Sequence, residues 1–469
     1  MADEKSKSKE LKEKLFYKKR TFFETAGKDG MAAALEYAKG YTEYLDNAKT
    51  ERDAVDYSVK MLDEAGFKPF DFGDKLEKGG RYYYNNRGKS LYVFTLGEEC
   101  VSSGIRITAA HIDSPRIDLK QHTLYEEKGI GYFKTHYYGG VRKYQWTVVP
   151  LALHGVVVKE NGETVNINVG DEDGDPVFCI TDLLPHLAAE QNGKPLGQAF
   201  SGEGMNVIVG SAPYIDEDED KLDDAVKLNI INTLYEKYGI TESDLMSAEL
   251  CFVPAGKARD VGFDRWLIGA YGHDDIVCAY PALTALMDAK DSAHSLMCIL
   301  ADKEEIGSEG VSGMQCDVFL DLVNAISAAY GADPAKVRAN SMCLSADVCA
   351  SYDPNYKEVY ELSNSAITGA GVCMAKYTGA RGKSATNDAS AELVGKVRRM
   401  FDGEGVVWQT AELGKVDAGG GGTVAKYIAK TNVETVDVGV PVLSMHAPFE
   451  LISKADLYSA YTAFAAFCK

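Results

Sequence analysis

The chain has 469 residues, a length that exceeds one ordinary hydrophobic core and favours two domains. Hydrophobic residues make up 45% of the sequence and aromatic residues 10%, which excludes a generally disordered protein. Lys plus Arg number 50 against 70 Asp plus Glu, and the resulting net charge of −20 argues against nucleic acid or an anionic membrane as a main partner.

The start of the chain and its cysteines bear on the cellular compartment. The first ten residues are highly charged and contain no apolar segment, so the sequence does not predict a secretory signal. No stretch approaches the length of a membrane span. The ten cysteines are dispersed without a CxxC pair, which is typical of free thiols in a reducing compartment. We therefore expect a cytoplasmic protein.

The first predicted elements along the chain are helices followed by strands. Residues from about 10 to 66 have a helical pattern, with amphipathic segments at 32–45 and 54–65. Apolar runs of strand length follow at 90–95 and 105–110. This order predicts the first part of an α/β domain.

The character of the sequence changes after residue 120. Residues 137–141 are turn-rich, and residues 148–158 and 165–169 have the pattern of β hairpins. These features predict a β-rich insertion at 123–248, after which strands and helices alternate again to the end.

The predicted fold class is therefore α/β, with a mostly parallel sheet flanked by helices and an inserted β-rich second domain. The main domain would be split by the insertion into residues 1–122 and 249–469.

Four short apolar runs are followed closely by side chains that can bind a metal. They are residues 105–110 before His111 and Asp113, 295–301 before Glu304 and Glu305, 341–346 before Asp347, and 440–445 before His446. Ligands of α/β proteins gather outside the carboxyl ends of the strands. We therefore expect these side chains to meet along one edge of the sheet.

Glu304 and Glu305 are the most informative of these side chains. Two adjacent carboxylates repel each other, so a division of roles is natural, in which one holds a cation and the other handles a proton. The alternative is a solvated loop start, which an acidic doublet by itself also fits.

The pattern around His111 and Asp274 also suits a metal site. Alternation along a strand would place His111 and Asp113 on one face, where Asp113 can accept the second N–H of the imidazole. Asp274 precedes a helical segment, so it is a candidate N-cap as well as a candidate bridge between two cations. The two interpretations of Asp274 are compatible.

Taken together, these motifs resemble the M18 family of metalloaminopeptidases, which includes aspartyl aminopeptidase. The resemblance covers about residues 90 to 450 and rests on the motifs around His111, Asp274, Glu304, Asp347 and His446, with Pro354-Asn355-Tyr356 after Asp347. No single motif is specific, but their joint order and spacing are.

The resemblance implies a site for two divalent ions, zinc first, with manganese or cobalt as alternatives. It places His111, Asp274 and Asp347 around one ion, and Asp274, Glu305 and His446 around the other. Glu304 would be the general base for a water between the metals, and Asp113 would orient His111.

The resemblance also implies a substrate and an assembly. The substrates would be short peptides that lose their N-terminal residue, and the β-rich insertion would build a homo-oligomer, a tetrahedral dodecamer made from dimers. His186 resembles a family histidine that reaches into a neighbouring subunit's active site. Its alternative is a histidine on a helix surface.

The chain departs from the aspartyl-specific pattern after Asp347. It has Ala350 and Asp353 where aspartyl aminopeptidases carry two histidines, so the preferred N-terminal residue stays open. Lys376 and Arg381 are the candidates for binding an acidic side chain. Two other functions also remain open: an amidohydrolase or deacylase with the same fold, and a non-catalytic scaffold protein that only forms the shell of the oligomer.

Overall fold

The computed structural model describes residues 7–216, 222–290 and 292–469. The α-helices of this part are α1 (Lys7–Leu15), α2 (Phe22–Thr25), α3 (Gly27–Asn47), α4 (Glu51–Glu64), α5 (Ala189–Asn192), α6 (Leu196–Ala199), α7 (Ala225–Tyr238), α8 (His273–Asp288), α9 (Val318–Ala329), α10 (Pro334–Asn340), α11 (Ala391–Glu404), α12 (Ala425–Ala429) and α13 (Lys454–Cys468).

The strands are β1 (Lys68–Pro69), β2 (Arg81–Asn86), β3 (Ser90–Thr95), β4 (Ile105–His111), β5 (Arg116–Glu127), β6 (Ile130–Tyr138), β7 (Leu151–Val158), β8 (Thr164–Val169), β9 (Val207–Gly210), β10 (Ala248–Pro254), β11 (Arg259–Val261), β12 (Leu267–Ala270), β13 (Ser295–Ala301), β14 (Met342–Ser345), β15 (Cys349–Ala350), β16 (Val372–Ala375), β17 (Trp408–Thr410), β18 (Glu434–Gly439), β19 (Pro441–Leu443) and β20 (Glu450–Ser453).

A nine-stranded sheet in the order β1-β2-β3-β13-β4-β14-β18-β16-β17 forms the centre of the molecule. Four consecutive strands, β13, β4, β14 and β18, run parallel. Every residue of β13 is buried, as expected for an apolar run covered on both faces. Parallel neighbours end at the same edge, and the register places Ala301 opposite His111. This edge carries the predicted ligands.

Two layers of helices enclose the nine-stranded sheet. Side chains of α3, α4, α8, α11 and α13 share one apolar core with one face of the sheet. Side chains of α9, α10 and α12 share a second core with the other face. The prediction of a mostly parallel sheet flanked by helices is confirmed.

Local capping explains two helix boundaries that hydrophobic periodicity does not give. The Thr50 side chain accepts the N–H of Asp53, so α4 begins three residues before the predicted segment. The Ser390 side chain accepts the N–H of Leu393 at the start of α11, and Gly405 with φ 69° ends that helix.

A small sheet in the order β11-β12-β20-β19-β15 lies beside the main one. It contains β19, which was predicted as a strand of the main sheet, and that expectation is wrong. β19 is short and pairs with β20 and β15. His446 therefore approaches the site from a turn after β19, where Ser444 and His446 both have positive φ.

The inserted part forms a six-stranded antiparallel sheet in the order β8-β7-β10-β5-β6-β9. Its apolar face packs into a separate core, against which side chains of α7 lie. The β-rich second domain of the predicted fold class is confirmed. Its sheet runs from Arg116 to Pro254, beyond the proposed boundaries of 123 and 248 on both sides.

A buried ion network joins the inserted sheet to the main domain. His154 of β7 lies with Nδ1 3.1 Å from Asp53 of α4 and Nε2 2.7 Å from Asp171. Lys49 binds the other oxygen of Asp171 and the carbonyl oxygens of Pro254 and Gly256. Burial opposes protonation of His154, but the hydrogen bonds to both aspartates raise its pKa above the ordinary 6.5.

We expect His154→Gln to destabilise the protein by about 2 kcal/mol near pH 6, the typical worth of a hydrogen bond to a charged group. A histidine whose pKa is raised by folding stabilises fully below pH 6.5, and that contribution is lost as the pH rises through the folded value. The difference from wild type should therefore shrink by pH 9.

Urea unfolding followed by circular dichroism at both pH values measures this difference. The exposed His122 of the same sheet supplies the matched control, His122→Gln. An equal loss of stability at pH 6 and pH 9 would contradict a charged His154.

Candidate metal centre

The main sheet and the small sheet together place the predicted ligands. His111 is the last residue of β4, Glu304 opens a short 3-10 turn after β13, and Asp347 follows β14 by two residues. Asp274 lies at a kink in the first turn of α8, with non-helical φ and ψ of −83° and 103°, and its Oδ1 has no hydrogen-bond partner. Asp274 therefore does not cap the helix, and its carboxylate is available to the site.

Asp274 lies between the two histidines. Its Oδ1 is 3.2 Å from Nε2 of His111, and its Oδ2 is 3.2 Å from Nε2 of His446. Glu305 Oε1 lies 3.4 Å from Nε2 of His446, and Asp347 Oδ1 lies 3.9 Å from Nε2 of His111. Each oxygen of Asp274 thus belongs to a different group of donor atoms.

Among the described residues, three groups each bring their ligand atoms within 4.8 Å of one another: His111 with Asp274 and Asp347, Asp274 with Glu305 and His446, and His111 with Glu304 and Glu305. The first two groups have the same members as the two ligand sets that the family resemblance implies.

The donor atoms fit zinc or a similar divalent ion. Imidazole nitrogen and carboxylate oxygen are ligands that zinc accepts, and two ligands of one tetrahedral zinc lie about 3.4 Å apart. The three shortest separations, at 3.2, 3.2 and 3.4 Å, are close to that value. In addition, Oδ1 of Asp274 is buried without a hydrogen-bond partner, as expected of an oxygen reserved for a cation.

The site holds far more carboxyl groups than cationic groups. Burial, helped by nearby carboxylates, raises the pKa of Glu305, Asp347 and Asp275 well above the ordinary values. For Asp274 burial also opposes the charge, but the two histidines outweigh it and hold the pKa below its ordinary value. Bound cations would relieve this excess of negative charge.

Glu304 differs from Glu305 in its surroundings. Glu305 lies beside His446, whereas burial, helped by the charges of Asp113 and Asp274 and opposed by His111, raises the pKa of Glu304 to about 7. A carboxyl group with a pKa near neutrality is suited to accept and return a proton.

Asp113 connects the histidine to the acidic turn. The Nδ1 of His111 lies 2.9 Å from the carbonyl oxygen of Asp113 and 3.4 Å from its carboxylate. The closer partner is thus the backbone rather than the side chain that the sequence analysis named. The carboxylate of Asp113 accepts the N–H groups of Glu304 and Glu305, at 3.0 and 3.2 Å. It therefore satisfies the first free amides of the 3-10 turn and fixes both glutamates.

Glu450 and Asp275 support the centre and were not assigned from the sequence. Glu450 is buried and accepts the N–H of Asp274 at 3.0 Å and the N–H of His446 at 2.6 Å. Asp275 accepts the N–H of His111 at 3.3 Å. Glu450 opens a short strand and its burial became visible only in the fold, where a buried carboxylate requires such partners.

In the described part of the chain, no hydrogen bond or ion pair joins the candidate substrate residues His186, Lys376 and Arg381 to these ligands. His186 lies exposed on a short 3-10 turn of the inserted domain. Lys376 pairs with Asp388. Arg381 lines a cavity of about 400 Å³ together with Tyr377 and Lys415.

The chain is similar to known M18 proteins over nearly its whole length. A family profile described as aminopeptidase I zinc metalloprotease (M18) matches residues 44–468. A relative from Clostridium acetobutylicum named "Probable M18 family aminopeptidase 1" is 47% identical over 435 residues, covering 91% of this chain and 93% of the relative.

Solved structures show the same similarity. The crystal structure of an M18 family aminopeptidase from Thermotoga maritima aligns with a TM-score of 0.91 at 42% identity, covering 97% of this chain and 100% of that one. The structure of the mApe1 dodecamer of Saccharomyces cerevisiae aligns with a TM-score of 0.75 at 23% identity, covering 92% and 96%.

Proposed function

Because this chain belongs to the M18 family of zinc aminopeptidases and is a peptide hydrolase, we propose that it removes N-terminal residues from short peptides with two divalent metal ions. The observation that carries the proposal is the position of Asp274, whose two carboxylate oxygens face two different histidines. That arrangement suits a carboxylate shared by two ions.

In the proposed centre, His111, Asp274 and Asp347 hold one ion, and Asp274, Glu305 and His446 hold the other. Zinc is the ion that the family description favours, with manganese and cobalt as alternatives. When bound, the ions supply positive charge that polarises the peptide carbonyl and makes a water molecule more acidic.

Glu304 is the proposed general base. Its carboxylate takes a proton from the attacking water and then gives that proton to the departing amine of the cleaved bond. Asp113 keeps Glu304 and His111 in position through the hydrogen bonds to both. Cleavage at the amino terminus of the peptide is proposed from the family to which the chain belongs.

We propose that residues 123–248 form an inserted domain and that residues 1–122 and 249–469 form the main domain. The inserted domain is the proposed assembly module. The dodecamer of the yeast relative motivates a homo-oligomer, and we propose a tetrahedral dodecamer made from dimers. Several apolar side chains of this domain are exposed in the protomer: Val177, Leu183, Leu184, Leu187 and Leu196. An exposed group of this kind is typical of an interface.

His186, which lies within this group, is a proposed substrate contact across that interface. Lys376 and Arg381 are the proposed contacts for an acidic substrate side chain.

The proposed location is the cytoplasm. All ten cysteines are free, which suits a reducing compartment. Among the described residues, none of the helices combines the length and the apolar character that a membrane span requires.

A panel of substrates tests the proposed function. We expect aminoacyl anilides with a free amino group to be hydrolysed, and N-acylated anilides to remain intact. Activity should disappear after treatment with a chelator and return with zinc, manganese or cobalt. Hydrolysis of only the N-acylated compounds would favour the deacylase alternative and overturn the aminopeptidase, and no hydrolysis with any metal would favour the non-catalytic scaffold.

A further inference from the structure

Three consecutive residues of the inserted domain lie against the candidate metal centre. They are Tyr138, the last residue of β6, and Gly139 and Gly140 after it. From the sequence, residues 137–141 are predicted only as a turn-rich segment. Each of the three contacts a different functional residue.

Tyr138 contacts Asp113. Its hydroxyl donates a hydrogen bond of 2.8 Å to Oδ2 of Asp113, the oxygen that also accepts the N–H of Glu305. The guanidinium of Arg116, paired with Tyr138 across β5 and β6, lies 4.1 Å from the centre of the tyrosine ring. Arg116 is in turn held by Glu51 at 2.7 Å and Asp118 at 2.8 Å. The guanidinium of Arg116, itself held by two carboxylates, thus fixes the orientation of the tyrosine ring.

Gly139 packs directly on Glu305. A Cβ atom added at this position would lie 3.1 Å from Oε2 and 3.2 Å from Cβ of Glu305. The backbone of Gly139 also has φ 74°, which side chains other than glycine rarely adopt. Both observations favour glycine at this position, because a side chain would press on Glu305 and strain the backbone.

Gly140 contacts His446. Its carbonyl oxygen lies 2.9 Å from Nδ1 of His446, so Nδ1 donates to it and Nε2 is the nitrogen that remains to bind a metal. That nitrogen faces Asp274 and Glu305. A hydrogen bond of this kind fixes the tautomer and the ring orientation of a histidine that binds a metal.

We infer that the segment Tyr138-Gly139-Gly140 positions the ligands of the metal centre, so that the inserted domain takes part in catalysis within its own chain. Tyr138 and Gly140 are positioning residues, because they act through Asp113 and His446. The inference rests on the proposed function, which assigns metals to the ligands that this segment positions.

Tyr138→Phe tests the inference, because it removes one hydroxyl and keeps the ring over Arg116. We expect metal affinity to fall by about threefold to tenfold, less than for a direct hydrogen-bond partner of a metal ligand, because the hydroxyl acts one contact further out, through Asp113. The midpoint of thermal unfolding of the metal-free protein should stay near that of wild type. Tyr137→Phe is the matched control, since Tyr137 is the exposed neighbour in the same strand.

Competition with a chromophoric chelator measures zinc affinity, and kcat is measured separately from KM on an aminoacyl anilide. The expected pattern is weaker zinc binding and lower kcat in Tyr138→Phe with little change in KM. Gly139→Ala should weaken zinc binding further. Zinc affinity and kcat of Tyr138→Phe equal to those of Tyr137→Phe would overturn the inference.

The wild type separates this inference from the proposed function. If the wild type binds no zinc and hydrolyses no substrate, the proposed function fails and the inference fails with it. If the wild type binds zinc and turns over, and Tyr138→Phe behaves like the control, only the inference fails.

Discussion

Glu304→Gln is expected to keep its metal and to lose turnover by roughly a hundredfold or more, the usual cost of losing a general base. Glutamine has nearly the same shape as glutamate but cannot accept the proton of the attacking water. The metal ligands and the backbone hydrogen bonds to Asp113 do not depend on the Glu304 side chain. The loss should therefore appear in kcat rather than in metal content.

The measurement is kcat on an aminoacyl anilide, together with metal analysis by mass spectrometry of the same sample. Glu309→Gln is the matched control, because Glu309 is exposed in the same loop. Unchanged turnover in Glu304→Gln would refute the role of general base. Loss of metal equal to the loss of turnover would instead make Glu304 a ligand.

Asp274→Asn is expected to weaken metal binding at both sites. One substitution removes the negative charge that both groups of donor atoms share. Changing a hydrogen-bond partner of a ligand already costs about 10–100-fold in metal affinity, so loss of a shared ligand should cost more than about 100-fold. We expect the purified variant to contain little metal and to have almost no activity.

Asp347→Asn supplies the comparison, because Asp347 belongs to only one of the two predicted sites. It should lower the metal content by about one ion per chain, whereas Asp274→Asn lowers it by about two. Asp288→Asn is the control for folding, because Asp288 is exposed at the end of α8, the helix that contains Asp274. If Asp274→Asn and Asp347→Asn lost the same amount of metal, Asp274 would not be a bridge.

The sequence predicted the strands that carry most of the site because their signal is local. Residues 295–301 form a continuous apolar run, and a strand buried on both faces needs such a run. Once this strand is predicted, its end also gives the position of the acidic pair at 304 and 305, because the pair follows the strand closely in the sequence. The same reasoning placed His111 and Asp347 at neighbouring strand ends.

Contacts between distant elements had no comparable signal. The pattern of residues 440–445 predicts a strand but not the sheet to which it belongs, so the approach of His446 from the small sheet was missed. Glu450 and Tyr138 act on the site only because the fold brings separate segments together. Nothing in the sequence near either residue specifies that contact.

The edge of the inserted sheet was also hidden in the sequence. Strand β5 begins at Arg116, only five positions after His111, and the short segment Asp113-Ser114-Pro115 between them is no longer than a connection within one domain. Its middle is polar and partly exposed, so the alternation expected of a strand is weak there. The change of composition therefore becomes visible only after the inserted sheet has begun.

Anomalous X-ray diffraction from crystals of the zinc-loaded protein, recorded on both sides of the zinc absorption edge, tests the central claim most directly. We predict two zinc peaks about 3.5–4 Å apart, one beside His111 and Asp347 and one beside His446 and Glu305, with Asp274 between them. A single peak, or peaks away from Asp274, would contradict the two-metal centre.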